Sequence, residues 1–188
     1  VMRSDLTTLS KSPRDLYKAQ TLTDKTLSDV AAMQVNDLQF TQTDGSWMLT
    51  DDPDYPVSQS SIKKMAGTIL QMQTVWTVTA PEADTVYGLD SPDVTAVLTF
   101  TDGTSLTVRF GNAVAAAADG SDGDSLCYLA SDAAPTVVYE VNADSKLAYA
   151  VTKESLYEET ATAETAASDP VAQYPVGGED DYADSLPE

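Results

Sequence analysis

Residues 87–112 read YGLDSPDVTAVLTFTDGTSLTVRFGN. Apolar and polar residues alternate on both sides of Asp102-Gly103. The stretch therefore predicts a strand over 95–100, a tight turn, and a second strand over 105–111. Alternation places Val97, Thr99 and Thr101 on one face of the first strand and Leu98 and Phe100 on the other. Leu106, Val108 and Phe110 share a face of the second. Tyr87-Gly88-Leu89 with Pro92 reads as the lead-in to the first strand. The hairpin reads as scaffold, not as a reactive centre.

The same pattern recurs along the chain. VAAMQV (30–35) and LQFTQ (38–42) are strand-like, and Asp44-Gly45 leads into SWMLT (46–50). Two prolines in DDPDYP stop that strand. Further strands are predicted at 75–79, 125–130 and 136–141. The strongest helix is SQSSIKKMAGTILQMQ (58–73), with Ser58 as N-cap and Val57 and Ile62 as a hydrophobic staple. Its apolar face is Ile62, Met65, Ala66, Ile69 and Met72. A second, shorter helix is predicted over 144–151, capped by Asp144. The expected fold class is α+β and mostly β, with antiparallel strands packed on the 58–73 helix.

Two internal echoes suggest how the chain is organised. LQFTQTDGSWMLT resembles AVLTFTDGTSLTV, each a strand, an Asp-Gly turn and a strand. DLTTLSKSPRDLY (5–17) resembles SKLAYAVTKESLY (145–157) in its leucine spacing and closing Leu-Tyr. The expectation is two related hairpin-plus-helix units over 26–157. Residues 1–25 would then be the end of a preceding repeat. Residues 158–188 hold nine acids and no base, and that composition predicts a disordered acidic tail.

The chain of 188 residues has 30 acids, 10 bases and no histidine, for a net charge of -20. A phosphate backbone or an anionic lipid surface would be repelled, so neither nucleic acid nor direct membrane contact is expected as a partner. Without histidine there is no Ser-His-Asp or Cys-His centre and no imidazole metal ligand. Cys127 is the single cysteine, so no internal disulfide or cysteine-cluster metal site exists. No apolar run approaches the roughly 20 residues that span a bilayer.

In order and spacing, several pieces resemble the bacterial domain-of-unknown-function 4340 family. They are Asp29-Val30 with the strand after it, Asp44-Gly45-Ser46-Trp47-x-Leu49, and the helix after Tyr55-Pro56. Tyr87-Gly88-Leu89-x-x-Pro92, the strand ending Phe110-Gly111, and Val138-Tyr139-x-Val141 complete the set. The resemblance covers roughly residues 14–157. Cys127 and the alanine-rich loop 113–118 depart from it. What the resemblance implies is an extracytoplasmic location, an N-terminal membrane anchor preceding Val1, and companionship with ABC-2-type transporters of the gliding-motility kind. It implies no catalytic residues.

Other constellations point to alternatives. Ser60-x-x-Lys63 and Ser61-x-x-Lys64 have the spacing of serine acyl-transfer enzymes, without the companion Ser-Asp-Asn and Lys-Thr-Gly elements. Asp119, Asp122 and Asp124 in DGSDGD offer hard oxygen ligands suited to calcium, the one cofactor considered. Asp51, Asp52 and Asp54 form a weaker cluster. Trp76 and Tyr87 are the candidate ligand-binding aromatics of a sugar or peptide groove, whereas Trp47 and Cys127 read as core.

The leading expectation is a non-enzymatic, extracytoplasmic, membrane-tethered binding or scaffolding module. Its partner would be a protein of the cell envelope, such as an ABC transporter complex. The alternatives are a carbohydrate-, peptide- or cation-binding domain, and a hydrolase using carboxylates or a Ser-Lys pair.

Overall fold

The computed structural model describes residues 13–115 and 125–158. Eight strands form one antiparallel sheet: β1 (Val30–Val35), β2 (Leu38–Thr43), β3 (Ser46–Leu49), β4 (Thr74–Val78), β5 (Val94–Phe100), β6 (Ser105–Ala113), β7 (Leu126–Ser131) and β8 (Val138–Asn142). Their order across the sheet is β3-β2-β1-β5-β6-β7-β8-β4. The chain is thus mostly antiparallel β with few helices, as alternation predicts. No helix of the described residues is long and apolar enough to cross a membrane.

Helix α1 (Gln59–Leu70) joins the two edges of this sheet. It begins after β3 at one edge and delivers β4 to the other. Ser58 caps it as expected, accepting from the Ser61 N–H. Ile62, Met65, Ala66, Ile69 and Leu70 are buried on its sheet-facing side. They pack with Met33, Phe40, Trp47, Leu98 and Phe110 in one continuous core. Burying side chains of this size contributes about 1.5–3 kcal/mol each. The α1 face is therefore a substantial stabilising contact of the fold.

Both ends of α1 are held by short β-bridges to distant chain. Val57 bridges Tyr157 before the helix, and Gln73 bridges Thr21 after it. Gln59 also clamps the edge strand β3. The Trp47 N–H donates to its Oε1, and its Nε2 donates to the Trp47 carbonyl, both at 2.7 Å. An edge strand's free backbone groups invite pairing with another chain, and this side chain satisfies two of them.

The hairpin turns follow the sequence. Asp44 and Gly45 both have positive φ (52° and 81°), as a two-residue type I′ turn requires. At Asp102-Gly103 the loop has three residues, closed by Gly103 N–H to the Phe100 carbonyl at 3.0 Å, with Gly103 at φ 83°. Asp102 accepts from Thr104 and from Lys25 Nζ.

Three differences from the sequence reading stand out. The second helix, α3 (Asp144–Leu147), is only one turn long. Its cap position is Ala143, not Asp144, and Asn142 Oδ1 accepts from the Asp144 N–H. The chain then turns inward, because Tyr149 is buried and its hydroxyl donates to the Met65 carbonyl at 2.8 Å. A further turn, α2 (Asp84–Tyr87), precedes β5 where only a lead-in was expected. It ends on Gly88 in the left-handed conformation, a common helix stop.

Short 3₁₀ turns stand near both ends of the described chain. Arg14–Leu16 and Glu154–Leu156 are both single 3₁₀ turns, each entered from an αR residue and left through an extended tyrosine. Residues 13–25 also pack on the sheet. Tyr17 Oη lies 2.7 Å from Thr74 Oγ1 and 2.6 Å from Thr77 Oγ1, and the Thr74 N–H donates to the Gln20 carbonyl. Arg14 forms a bidentate pair with Glu140 on β8 at 2.7 and 2.8 Å.

Two glycines mark opposite situations. A Cβ on Gly111 would collide with the Tyr87 carbonyl, where a bulge in β6 meets α2. A Cβ on Gly67, inside α1, would meet nothing within 4 Å. Gly111→Ala should therefore destabilise by about 1–3 kcal/mol, as overpacking does. Gly67→Ala should stabilise by up to about 1 kcal/mol through helix propensity. Denaturant midpoints of the two variants against the parent check both signs.

Candidate functional site

The aromatics Trp76 and Tyr87 lie on the sheet face opposite α1, two strands apart. Trp76 pairs in register with Glu140, and Glu140 with Tyr128. The Trp76 ring is occupied by Tyr17 at 5.4 Å and by the Arg14 guanidinium at 5.2 Å. Tyr87 stacks edge-on against Tyr128 at 4.8 Å and is buried with Leu89, Ala130 and Val138 in a small second core. Its hydroxyl accepts from the Glu82 N–H. The structure does not bring the two rings together. Each serves packing on the outer face.

The Arg14–Glu140 pair anchors this region. Glu140 is 3% exposed, and its countercharge comes from a residue 126 positions away. A buried carboxylate needs such a partner, because desolvation otherwise costs several kcal/mol.

Asp119, Asp122 and Asp124, and the loop that holds them, lie outside the described residues. Among the described residues no group of three or more metal-ligating side chains converges. In the weaker acidic cluster, Asp52 is committed to Lys153 at 2.7 Å. At the start of α1, Ser61 Oγ donates to Ser58 Oγ, and Ser60 Oγ lies 3.0 Å from the same oxygen. Neither hydroxyl is hydrogen-bonded to Lys63 or Lys64, which are both exposed.

Those lysines belong to a different arrangement. A groove of about 700 Å³ runs between α1, the 3₁₀ turn Leu27–Asp29 and the start of α3. Its floor includes Leu27, Leu70 and Met72, and its rim carries Lys25, Lys63 and Lys64. Among the described residues no carboxylate lines it, in a chain with three acids per base. Lys25 is paired with Asp102 at 2.5 Å, and Arg14, Arg109, Lys146 and Lys153 are likewise paired with acids. Among the described residues, Lys63, Lys64 and Lys18 have no carboxylate partner. Two of these three stand side by side on the groove.

A second surface is distinctive for what it lacks. On the open half of the face opposite α1, the strand registers align two rows of outward side chains. One row runs Met48, Thr41, Ala32, Thr99, Ser105, and the next runs Gln39, Gln34, Val97, Thr107. None of these is charged. The first cation is Arg109 in the following row, tied to Asp84 and to the Leu89 carbonyl. An Asp132 carboxylate closes the second row by accepting from the Thr107 N–H.

Electrostatics elsewhere is local. The Lys25 ammonium and the Thr104 hydroxyl and N–H hold the Asp102 carboxyl well below its ordinary range. Burial pushes the Cys127 thiol up to about 11. Burial also raises the Tyr149 hydroxyl, despite an opposing bond from Thr68. The chain matches no family model, no curated protein and no solved structure.

Cys127 and Tyr149 generate a pH prediction. Both stay protonated in the fold at pH values where they would ionise once unfolded. Their contribution is complete below the unfolded values and is lost as pH rises toward the folded ones. Stability should therefore fall from about pH 9 upward. Cys127→Ala should remove the thiol's share of that slope, between its ordinary 9.0 and about 11. Urea midpoints across this window check it. A slope unchanged by the substitution would mean that Cys127 does not govern it.

Proposed function

We propose that this protein is a non-catalytic binding or scaffolding module of the cell envelope, docking to a protein partner through the open face of its sheet. The observation that carries the reading is the pair of uncharged rows on a chain of net charge -20. Charged residues are depleted from the centres of protein interfaces, because each must be desolvated on binding. A chain with 30 acids has kept nine adjoining outward positions free of them. The uncharged groups there, threonine, serine, glutamine, alanine, valine and one methionine, suit a sheet-face contact in which backbone shape and hydroxyl bonding do the recognition.

The resemblance to the domain-of-unknown-function 4340 family supports the envelope setting and the accessory role beside an ABC transporter. It also supports a membrane tether upstream of the domain. The two Asp-Gly hairpins, β2–β3 and β5–β6, are read as related copies, with the matching 3₁₀ turns at Arg14–Leu16 and Glu154–Leu156 as a second trace of repetition.

The test is affinity capture with the full chain as bait against detergent-solubilised envelope, read by mass spectrometry. One membrane complex should be enriched. Val97→Glu and Thr41→Glu should each cut its recovery about tenfold or more, the effect of about 1.4 kcal/mol. Both side chains stand on the open face, so thermal stability should change little. Lys63→Ser, on the other side of the sheet, should leave recovery unchanged. Equal recovery by all three variants would refute the face as the interface.

A further inference from the structure

The longest stretch without an acid in this chain runs from Tyr55 to Pro81, and α1 lies inside it. An acid one turn away is the usual companion of an exposed helical lysine. Here the residues four positions from Lys63 are Gln59 and Gly67, and those from Lys64 are Ser60 and Thr68. Among the described residues neither lysine has a carboxylate within ion-pair distance. The acids beside the groove are engaged in their own turns. Asp29 accepts from the Thr26 N–H and hydroxyl, and Asp102 accepts from Lys25 and Thr104. Two cationic side chains thus line one groove with their charge uncompensated by described residues. Gly67 lies on the same wall, one turn beyond Lys63. Only proline forms helix less readily than glycine. A glycine inside a helix is accounted for when another element packs close to it, but a Cβ here would meet nothing within 4 Å. What the missing side chain does is widen the groove between Lys63 and Leu70.

We propose that this groove binds a small amphipathic anion, with its carboxylate or phosphate head on Lys63 and Lys64 and its apolar body over Gly67 toward Leu27, Leu70 and Met72. Lys63 and Leu70 lie about 10 Å apart along the helix axis. That separation suits a charged head joined to an apolar body of medium length. A lysine ammonium is a compact point charge without a planar fork, so it accepts a carboxylate or a phosphate alike. Gln71, Gln73 and Asn142 add neutral amide donors around the head and body. The volume of about 700 Å³ falls within the roughly 300–1,000 Å³ of small-molecule sites. Size also decides between occupants. An acidic peptide longer than the groove would run onto the surface of a chain with net charge -20 and be repelled there. A ligand confined to the groove meets its lysines and avoids the rest.

The experiment titrates the full chain, with labelled leucine and methionine methyl groups, against octanoate and octyl phosphate below their micelle concentrations, read by NMR. Leu27, Leu70 and Met72 methyl signals should shift and saturate. Both amphiphiles should bind about tenfold or more tighter than 1-octanol, acetate or inorganic phosphate. Lys63→Ser/Lys64→Ser should cut octanoate affinity about tenfold and leave 1-octanol binding unchanged. Gly67→Leu should block both ligands while the thermal midpoint holds or rises, because leucine is the better helix former. That midpoint separates a filled groove from a failed fold. Lys18→Ser should leave octanoate affinity as it is. Four outcomes would overturn the proposal: methyl shifts that do not saturate, inorganic phosphate binding as well as octyl phosphate, octanoate affinity unchanged in either groove variant, or a hexaglutamate peptide binding more tightly than octanoate. All these readouts sit on the α1 side of the sheet, so failure here and failure of the proposed interface are separable.

Discussion

The fold depends on one crossing. α1 leaves the β3 edge, lies over the sheet and hands the chain to β4 at the far edge. Its five buried side chains are what the inward-facing residues of the central strands pack against. Once that contact is fixed, the remaining strands have little freedom. β5 must return to the middle beside β1, and β6, β7 and β8 then fill the gap out to β4. The bridges at Val57 and Gln73 pin the helix at both ends to the two limits of the described chain.

Local features of this structure were legible in the residues, and non-local ones were not. All eight strands and α1 could be read, because alternation, helical spacing, Ser58 as a cap and two Asp-Gly turns are properties of neighbouring residues. The turn at Asp84–Tyr87 is too short to show periodicity. Its one usable signal was Gly88, which stops the turn at φ 68°. The order of the strands could not be read, since it depends on which edge α1 reaches. The candidate surfaces were hidden for the same reason. Thr41 and Thr99 meet in one row only through two registers, and Arg14 finds Glu140 across 126 positions. Trp76 and Tyr87, singled out for their chemistry, contact Arg14, Tyr17 and Tyr128, neighbours that only the strand registers bring to them.

Charge is distributed with the same economy. The ion pairs tie turns and short helices to the sheet: Lys25 to Asp102, Arg109 to Asp84, Lys146 to Asp93, Lys153 to Asp52. On exposed groups such pairs add little stability, typically below about 1 kcal/mol each. Their greater effect is to use up scarce cations locally. What is left uncompensated stands out against that background, on one side as lysines without acids and on the other as a face without charge.

The edge-to-edge crossing also governs how the chain is made. Synthesis delivers β1, β2, β3, α1 and β4 first, yet two of these strands are unfinished at that point. β1 needs β5 on its open side, and β4 has no neighbour until β8 emerges more than sixty residues later. The first half therefore exposes an apolar helix face and two unpaired strand edges while the second half is still in the ribosome. Such a nascent chain cannot complete its core domain by domain. Completion of the sheet is expected to wait for β8, and the many long-range pairings favour slow closure.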